Sequence, residues 1–131
     1  MKNGTIKTMI LNNDYFKIDD CRKEGDETLF DVTLLPDYCA YEGHFPGNPV
    51  SPGVCNIQMI KECAEQLAGK RFFLGFITKC KLSAVITPQT TPHLCVRMSL
   101  TEKDGLYEIK AVVSDADTTY IEFKGELTPI T

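Results

Sequence analysis

Apolar residues follow two different periods along this chain, and the period changes near residue 70. Between residues 53 and 68 they recur every three or four positions, which predicts one helix that ends at Gly69. The face predicted to be buried comprises Val54, Ile57, Ile60, Ala64 and Leu67, extended by Cys55, Met59 and Cys63. Because the first turns are then apolar on nearly every side, we expect protein to surround this helix.

Strand-like patterns lie on both sides of the helix. Residues 15–18 and 28–34 read as strands flanking a turn at 24–26, and residues 94–101 alternate between apolar and polar positions. Asp104-Gly105 predicts a hairpin into a strand over 106–113, and a last strand follows over about 119–127. Short strands, one buried helix and then long antiparallel strands predict an α+β domain with the sheet wrapped around one central helix.

Length and charge narrow the class of protein. The 131 residues are predicted to form a single domain, 1–131, and no apolar run approaches the ~18 residues that a membrane span requires. The N-terminal residues lack the apolar stretch of a secretory signal, so a cytoplasmic location is expected. A net charge of −4 argues against nucleic acid, because phosphate binding needs a basic surface.

Cysteine spacing argues against a metal site and a disulfide scaffold. The six cysteines are scattered without a Cys-x-x-Cys pair, and His44 and His93, the two histidines, join no cluster of ligands. We therefore expect no metal, and most of the cysteines are predicted to be small buried residues.

The most distinctive stretch is residues 43–54, which read Gly-His-Phe-Pro-Gly-Asn-Pro-Val-Ser-Pro-Gly-Val. Pro49 and Pro52 restrict φ, so this loop is predicted to hold His44 in a fixed direction relative to the start of the helix. The run resembles the active-site loop of the bacterial (3R)-hydroxyacyl-acyl-carrier-protein dehydratases, whose pattern reads His-Phe-Pro-Gly-x-Pro-x-x-Pro-Gly-Val. Residues 75–88 also resemble a strand of these enzymes, although Lys81, Ser83 and Ala84 depart from its pattern. The resemblance implies the hot-dog fold.

Dehydration of a 3-hydroxyacyl thioester needs a base, an oxyanion donor and an acid. The resemblance implies His44 as the base, since a neutral imidazole has an ordinary pKa near 6.5. The N–H of Gly53, supported by Val54, would bind the thioester oxygen at the helix N-terminus, and Phe45 would contact the substrate. The resemblance thus assigns the base and the oxyanion donor to residues 44–54.

The acid departs from the family pattern. Fourteen positions after the histidine the family carries an acidic residue, whereas this chain carries Gln58, and Glu62 stands where the family usually has glutamine. An amide cannot deliver a proton, but residues four apart share one helix face. Glu62 is therefore a candidate acid in an exchanged pair. The alternative is that Glu62 and Glu65 form a solvated stripe in which Glu65 pairs with Lys61.

The resemblance also implies the partners. The substrate would be carried on the phosphopantetheine of an acyl carrier protein, and no other cofactor is expected. Residues predicted to form one basic docking patch are Lys70, Arg71, Lys79 and Lys81. A homodimer, or a larger assembly of dimers, is expected because sites in this family use two chains and because an open sheet leaves an edge strand unpaired.

Three functions follow from these residues. The first is dehydration of (3R)-3-hydroxyacyl-acyl-carrier-protein to the trans-2-enoyl product in fatty acid or related lipid or polyene synthesis. The second is acyl thioester hydrolysis on the same fold, with Gln58 or Glu62 orienting a water. The third is a non-catalytic partner subunit that binds acyl carrier protein.

Overall fold

A computed structural model describes residues 13–35 and 53–130. Within them lie six strands and one helix in the order β1 (Phe16–Glu24), β2 (Glu27–Leu34), α1 (Gly53–Ala68), β3 (Phe72–Leu82), β4 (His93–Lys103), β5 (Leu106–Ser114) and β6 (Thr119–Pro129). The strands form one sheet in the order β1-β2-β4-β5-β6-β3, and every neighbouring pair is antiparallel. The α+β hot-dog arrangement predicted from the sequence is confirmed.

Local signals set the ends of several elements. Asp104 and Gly105 both have positive φ, 54° and 83°, as the tight hairpin between β4 and β5 requires. Gly69, with φ of 70°, ends helix α1, and its N–H donates to the Glu65 carbonyl at 2.9 Å. The predicted hairpin and the predicted end of the helix are both confirmed.

The core lies between helix α1 and one face of the sheet. Its largest fully buried side chains include Phe16, Phe30, Phe72, Met59, Ile60, Met98, Ile109, Ile121 and Leu127. The residues Ile121, Phe123 and Leu127 of β6 all point into it, as their alternation predicts. The sheet therefore packs its apolar face on the helix.

The buried face of helix α1 differs from the prediction at both ends. Cys55, Met59, Ile60, Cys63 and Ala64 are buried, but Val54 is 66% exposed and Leu67 is 39% exposed within the chain. Within one chain, helix α1 is thus covered where it faces the sheet, and Val54 and Leu67 stay exposed at its two ends. Period alone cannot distinguish apolar residues facing the chain's own sheet from apolar residues facing outwards.

The cysteines are less buried than predicted. Of the five in the described residues, only Cys55 and Cys63 are buried, whereas Cys21 and Cys80 are exposed. No helix in the described parts of the chain is long and apolar enough to cross a membrane.

The two edges of the sheet differ in character. Strand β1 carries mainly charged side chains, and Arg22 lies within 4.0 Å of carboxylates on three neighbouring residues. Strand β3 instead exposes Phe73 (61%) and Phe76 (60%), with Ile77 and Leu82 also exposed. Charged residues protect an edge strand from further pairing, so β3 is the edge left open to a partner.

Candidate active site at the start of helix α1

A cavity of ≈ 250 Å³ lies beside the first turn of helix α1. Its described wall comprises Gly53, Asn56, Leu82, Ser83, Ala84, Val85, Ile86 and Ile121. The cavity is therefore bounded by the helix, the end of β3 and the segment that follows β3. Apart from Asn56 and Ser83 the side chains of this wall are apolar, as expected for a site that accepts an acyl chain.

Gly53 opens the helix at the edge of this cavity. Its φ is not in the left-handed region, and an added Cβ would lie 3.5 Å from Leu82 Cδ1, which is an ordinary contact. Neither the backbone nor the packing against the described residues therefore requires glycine here. What glycine provides is open space beside the helix N-terminus, where unpaired N–H groups can bind an oxyanion.

Gln58 and Glu62 are hydrogen-bonded to each other. Gln58 Nε2 donates to Glu62 Oε2 at 2.9 Å, and the Glu62 residue is only 8% exposed. The prediction that the two side chains share one helix face is confirmed, and the alternative of a solvated stripe is wrong for Glu62. Burial of the carboxyl keeps it out of bulk water, as an acid in an enzyme site requires.

Glu65 has a separate, structural role. Its carboxylate accepts a hydrogen bond from the Phe72 backbone N–H at 2.9 Å and lies 3.8 Å from Lys61 Nζ. The predicted pairing of Lys61 with Glu65 is therefore confirmed. Through Phe72, Glu65 also joins the end of helix α1 to the start of β3.

Cys63, next to Glu62, does not supply a nucleophile. Burial raises the pKa of the Cys63 thiol, and the nearby Glu62 carboxylate raises it further. Because the thiolate is the reactive form, this thiol is inert.

Gly53 and the Gln58–Glu62 pair occupy different sides of helix α1. Neither Gln58 nor Glu62 belongs to the described wall of the Gly53 cavity. At 3.6 residues per turn, Glu62 is rotated by about 180° from Gly53 around the helix axis. One chain alone therefore does not bring the predicted oxyanion donor and the predicted acid into one described cavity.

The structure describes only one of the other predicted residues of the loop and the helix start. His44 and Phe45 fall outside the described residues, so the structure leaves their predicted roles open. The Val54 side chain points away from the cavity, since it is exposed and absent from the described wall.

The predicted basic patch is divided into two groups. Lys70 and Arg71 precede β3, whereas Lys79 and Lys81 lie near its other end, ~26 Å from Arg71 along an extended strand. Lys79 Nζ pairs with Glu122 Oε1 at 3.1 Å, and this bond lowers the pKa of Glu122, with a smaller contribution from Lys81. Within one chain the four residues thus lie in two groups along β3, and their role in docking stays a prediction.

Asn56 is a cavity residue that sequence reasoning missed. It is 4% exposed, and its Oδ1 accepts a hydrogen bond from the Tyr15 hydroxyl at 2.5 Å. A signal was present, because Asn56 is a polar residue in helix turns that are otherwise apolar. Only the fold shows that Tyr15, 41 residues earlier in the chain, supplies its partner.

Comparison with known proteins identifies the family. The profile of the ApeI-like family, described as ApeI dehydratase, matches residues 20–121. The chain is 36% identical over 109 residues to the 3-hydroxyacyl-[acyl-carrier-protein] dehydratase FabZ of Lactiplantibacillus plantarum, covering 76% of this chain and 74% of that protein. It is 35% identical over 103 residues to FabZ of Pediococcus pentosaceus, covering 69% of this chain and 68% of that protein.

A solved structure agrees in fold. The Dehydratase Heterocomplex ApeI:P from Xenorhabdus doucetiae aligns with a TM-score of 0.67 at 22% identity, covering 85% of this chain and 96% of the matched chain. The family profile and the FabZ relatives agree with the antiparallel sheet and the single described helix. The chain therefore belongs to the ApeI-like dehydratase family of hot-dog hydro-lyases.

Proposed function

We propose that this protein removes water from (3R)-3-hydroxyacyl groups carried on acyl carrier protein and forms the trans-2-enoyl thioester, in fatty acid synthesis or a related lipid or polyene pathway. The observation that carries the proposal is the buried Glu62 carboxyl hydrogen-bonded to Gln58 on the helix that Gly53 opens. The loop at residues 44–54 and the FabZ relatives support the same reaction.

The reaction divides among three groups. His44 accepts the proton from C2, and negative charge develops on the thioester oxygen, where the Gly53 N–H donates to it. Glu62 gives its proton to the hydroxyl leaving C3, so the C3–O bond breaks and water departs. The product carries the C2–C3 double bond, and the net change is the loss of one water.

Gln58 orients the acid in this mechanism. Its N–H donates to Glu62 Oε2 and so fixes the direction in which the carboxyl faces. The exchange of glutamine and glutamate relative to the family pattern then keeps a carboxyl at the site, but displaced by one helical turn.

A homodimer completes the site in this proposal. Gly53 and Glu62 lie on opposite sides of one helix. A site that contains both the oxyanion donor and the acid would therefore combine Gly53 of one chain with Glu62 of a second copy. The exposed apolar residues of β3 support pairing at that edge. Larger assemblies would be built from such dimers.

Acyl carrier protein is the proposed partner that delivers the substrate. The basic residues form two groups, and each group would supply a separate contact for the acidic carrier. In one group Lys79 is paired with Glu122, whereas Lys70 and Arg71 form no ion pair among the described contacts. No metal or redox cofactor takes part in this scheme, and the proposed location is the cytoplasm.

A non-catalytic partner subunit is the second candidate. Two observations favour it: Gln58 stands at the family's acid position, and a structural relative is titled a dehydratase heterocomplex. In this case the chain would retain the acyl cavity and bind a second, catalytic hot-dog chain.

A direct assay separates the candidates. The protein would be incubated with 3-hydroxyacyl- and enoyl-loaded carrier proteins. Mass spectrometry would then detect the loss or gain of ~18 Da, the mass of a water molecule. Turnover that falls by at least about 10²-fold in His44→Ala would support the dehydratase. Hydrolysis of the thioester, or no reaction at all, would contradict it.

A further inference from the structure

The described wall of the cavity beside Gly53 has one buried polar side chain, that of Asn56. The other buried residues of helix α1 nearby, Cys55, Met59 and Ile60, are apolar. Burying a carboxamide destabilises a protein unless its donors and acceptor are bonded. The position of Asn56 therefore calls for an explanation in terms of what its amide contacts.

Tyr15 fixes one end of that amide. Its hydroxyl donates to Asn56 Oδ1, and the Leu35 N–H donates to the Tyr15 carbonyl at 2.9 Å, so the tyrosine is itself held in place. With Oδ1 bound to Tyr15, the Asn56 nitrogen lies on the opposite branch of the carboxamide. Two N–H donors thus point away from Tyr15.

The Asn56 nitrogen opens onto the cavity. Among the described residues, Tyr15 is the one hydrogen-bond partner of this carboxamide. Among the described residues, every fully buried side-chain nitrogen or oxygen has a hydrogen-bond partner. Because the Asn56 nitrogen has none among these residues, it is not fully buried. Because Asn56 belongs to the cavity wall, the accessible side is the cavity.

We propose that Asn56 determines acyl specificity, by donating a hydrogen bond to an oxygen that the acyl group carries beyond C3. This inference rests on the proposed function, since an acyl group held at the Gly53 N–H would extend into this cavity. Asn56 lies three residues after Gly53 and lines the same cavity, so an acyl chain that leaves the Gly53 N–H passes its donors. An acceptor such as a keto oxygen deeper in the chain fits this donor.

The volume of the cavity guides the choice of probe. At ≈ 250 Å³, and with about 30 Å³ for each water-sized group, it holds about eight heavy atoms. An eight-carbon chain is therefore the suitable probe. A plain chain of that length would leave the Asn56 donors unbonded against methylene groups, which lowers its binding relative to an oxygenated chain.

The test compares matched eight-carbon pantetheine thioesters. One set is plain 3-hydroxyoctanoyl, and the other carries a single additional keto group at C5, C6 or C7. We expect the protein to favour at least one keto compound by about 10-fold in kcat/KM. Asn56→Leu should remove that preference, whereas Gln66→Leu, which removes a carboxamide from the exposed part of the same helix, should retain it.

Binding is measured separately from turnover. Unreactive amide analogues of octanoyl- and oxo-octanoyl-pantetheine, titrated by calorimetry, should show the same preference in Kd. In the unmodified protein, the Asn56 side-chain amide resonance should shift with the oxo analogue and not with the plain one. That NMR measurement decides the proposal even where Asn56→Leu fails to fold.

The outcomes distinguish the two proposals. Preferential binding without dehydration would support Asn56 and overturn the dehydratase. Dehydration of both sets at equal efficiency would support the dehydratase and overturn Asn56. Binding of neither analogue, or loss of the preference in Ser83→Ala but not in Asn56→Leu, would also overturn the assignment to Asn56.

Discussion

At the scale of single residues, the Gln58–Glu62 pair decides whether this chain is an active enzyme. Their hydrogen bond of 2.9 Å and the burial of Glu62 are what an exchanged acid requires. A solvated carboxylate on an exposed helix face would have neither property. The structure thus favours the exchange over the solvated stripe, while the proton transfer itself remains a proposal.

Substitutions at the pair test its role. Glu62→Gln should lower turnover by about 10²–10⁴-fold, because the amide cannot donate a proton to the leaving hydroxyl. Gln58→Glu alone should be neutral or harmful, since it places two carboxyl groups at hydrogen-bond distance. The double exchange should recover more activity than the sum of the single effects, measured as kcat on a hydroxyacyl carrier protein.

One control accompanies this series. Gln66→Glu adds a carboxyl to the exposed part of the same helix and should leave turnover unchanged. If Glu62→Gln changes nothing while Gln58→Glu creates activity where the natural chain has none, Glu62 is not the acid and the natural chain is a partner subunit.

At the scale of elements, Gly125 permits the irregular pairing of β3 with β6. The register of this pair shifts between Leu74 and Phe76 and again between Ile77 and Lys79. A Cβ added at Gly125 would lie 2.7 Å from the Phe76 carbonyl oxygen, closer than real contacts allow. Glycine at this position lets the two backbones approach.

Gly125→Ala should therefore destabilise the protein by about 1–3 kcal/mol, the usual effect of overpacking. Urea denaturation followed by circular dichroism measures the change in the free energy of unfolding. Lys124→Ala, an exposed change in the same strand, is the control and should shift stability by less than about 0.5 kcal/mol. Equal stability of the two variants would mean that β3 moves away from β6 without loss.

At the scale of the whole molecule, the apolar edge at β3 predicts how two copies assemble. Phe76→Glu should weaken the dimer, because it places a charge on an edge strand that is otherwise open to pairing. Light scattering at micromolar concentration should show a dimer for the unmodified protein and a larger monomer fraction for the variant.

Lys23→Glu, on the charged edge strand β1, is the matched control and should remain dimeric. A dimer that dissociates in Lys23→Glu but not in Phe76→Glu would place the interface at β1. A fully active monomer would contradict the shared site altogether.

The sequence by itself determined the elements of this protein. Residues 53–68 form the predicted helix, Gly69 ends it, and Asp104-Gly105 makes the predicted hairpin, because these features depend on local backbone preferences and on period. The resemblance at residues 44–54 pointed to the family that the comparisons show. A four-residue spacing was also enough to place Gln58 beside Glu62.

Only the tertiary structure decided what each surface contacts. Val54 and Leu67 follow the helical period yet face outwards, and the basic residues that are near in sequence separate along an extended strand. Asn56 meets Tyr15 across 41 residues, and Gly53 meets the segment after β3 in one cavity. Such contacts depend on how the helix is rotated against the sheet, and local sequence preferences do not encode that rotation.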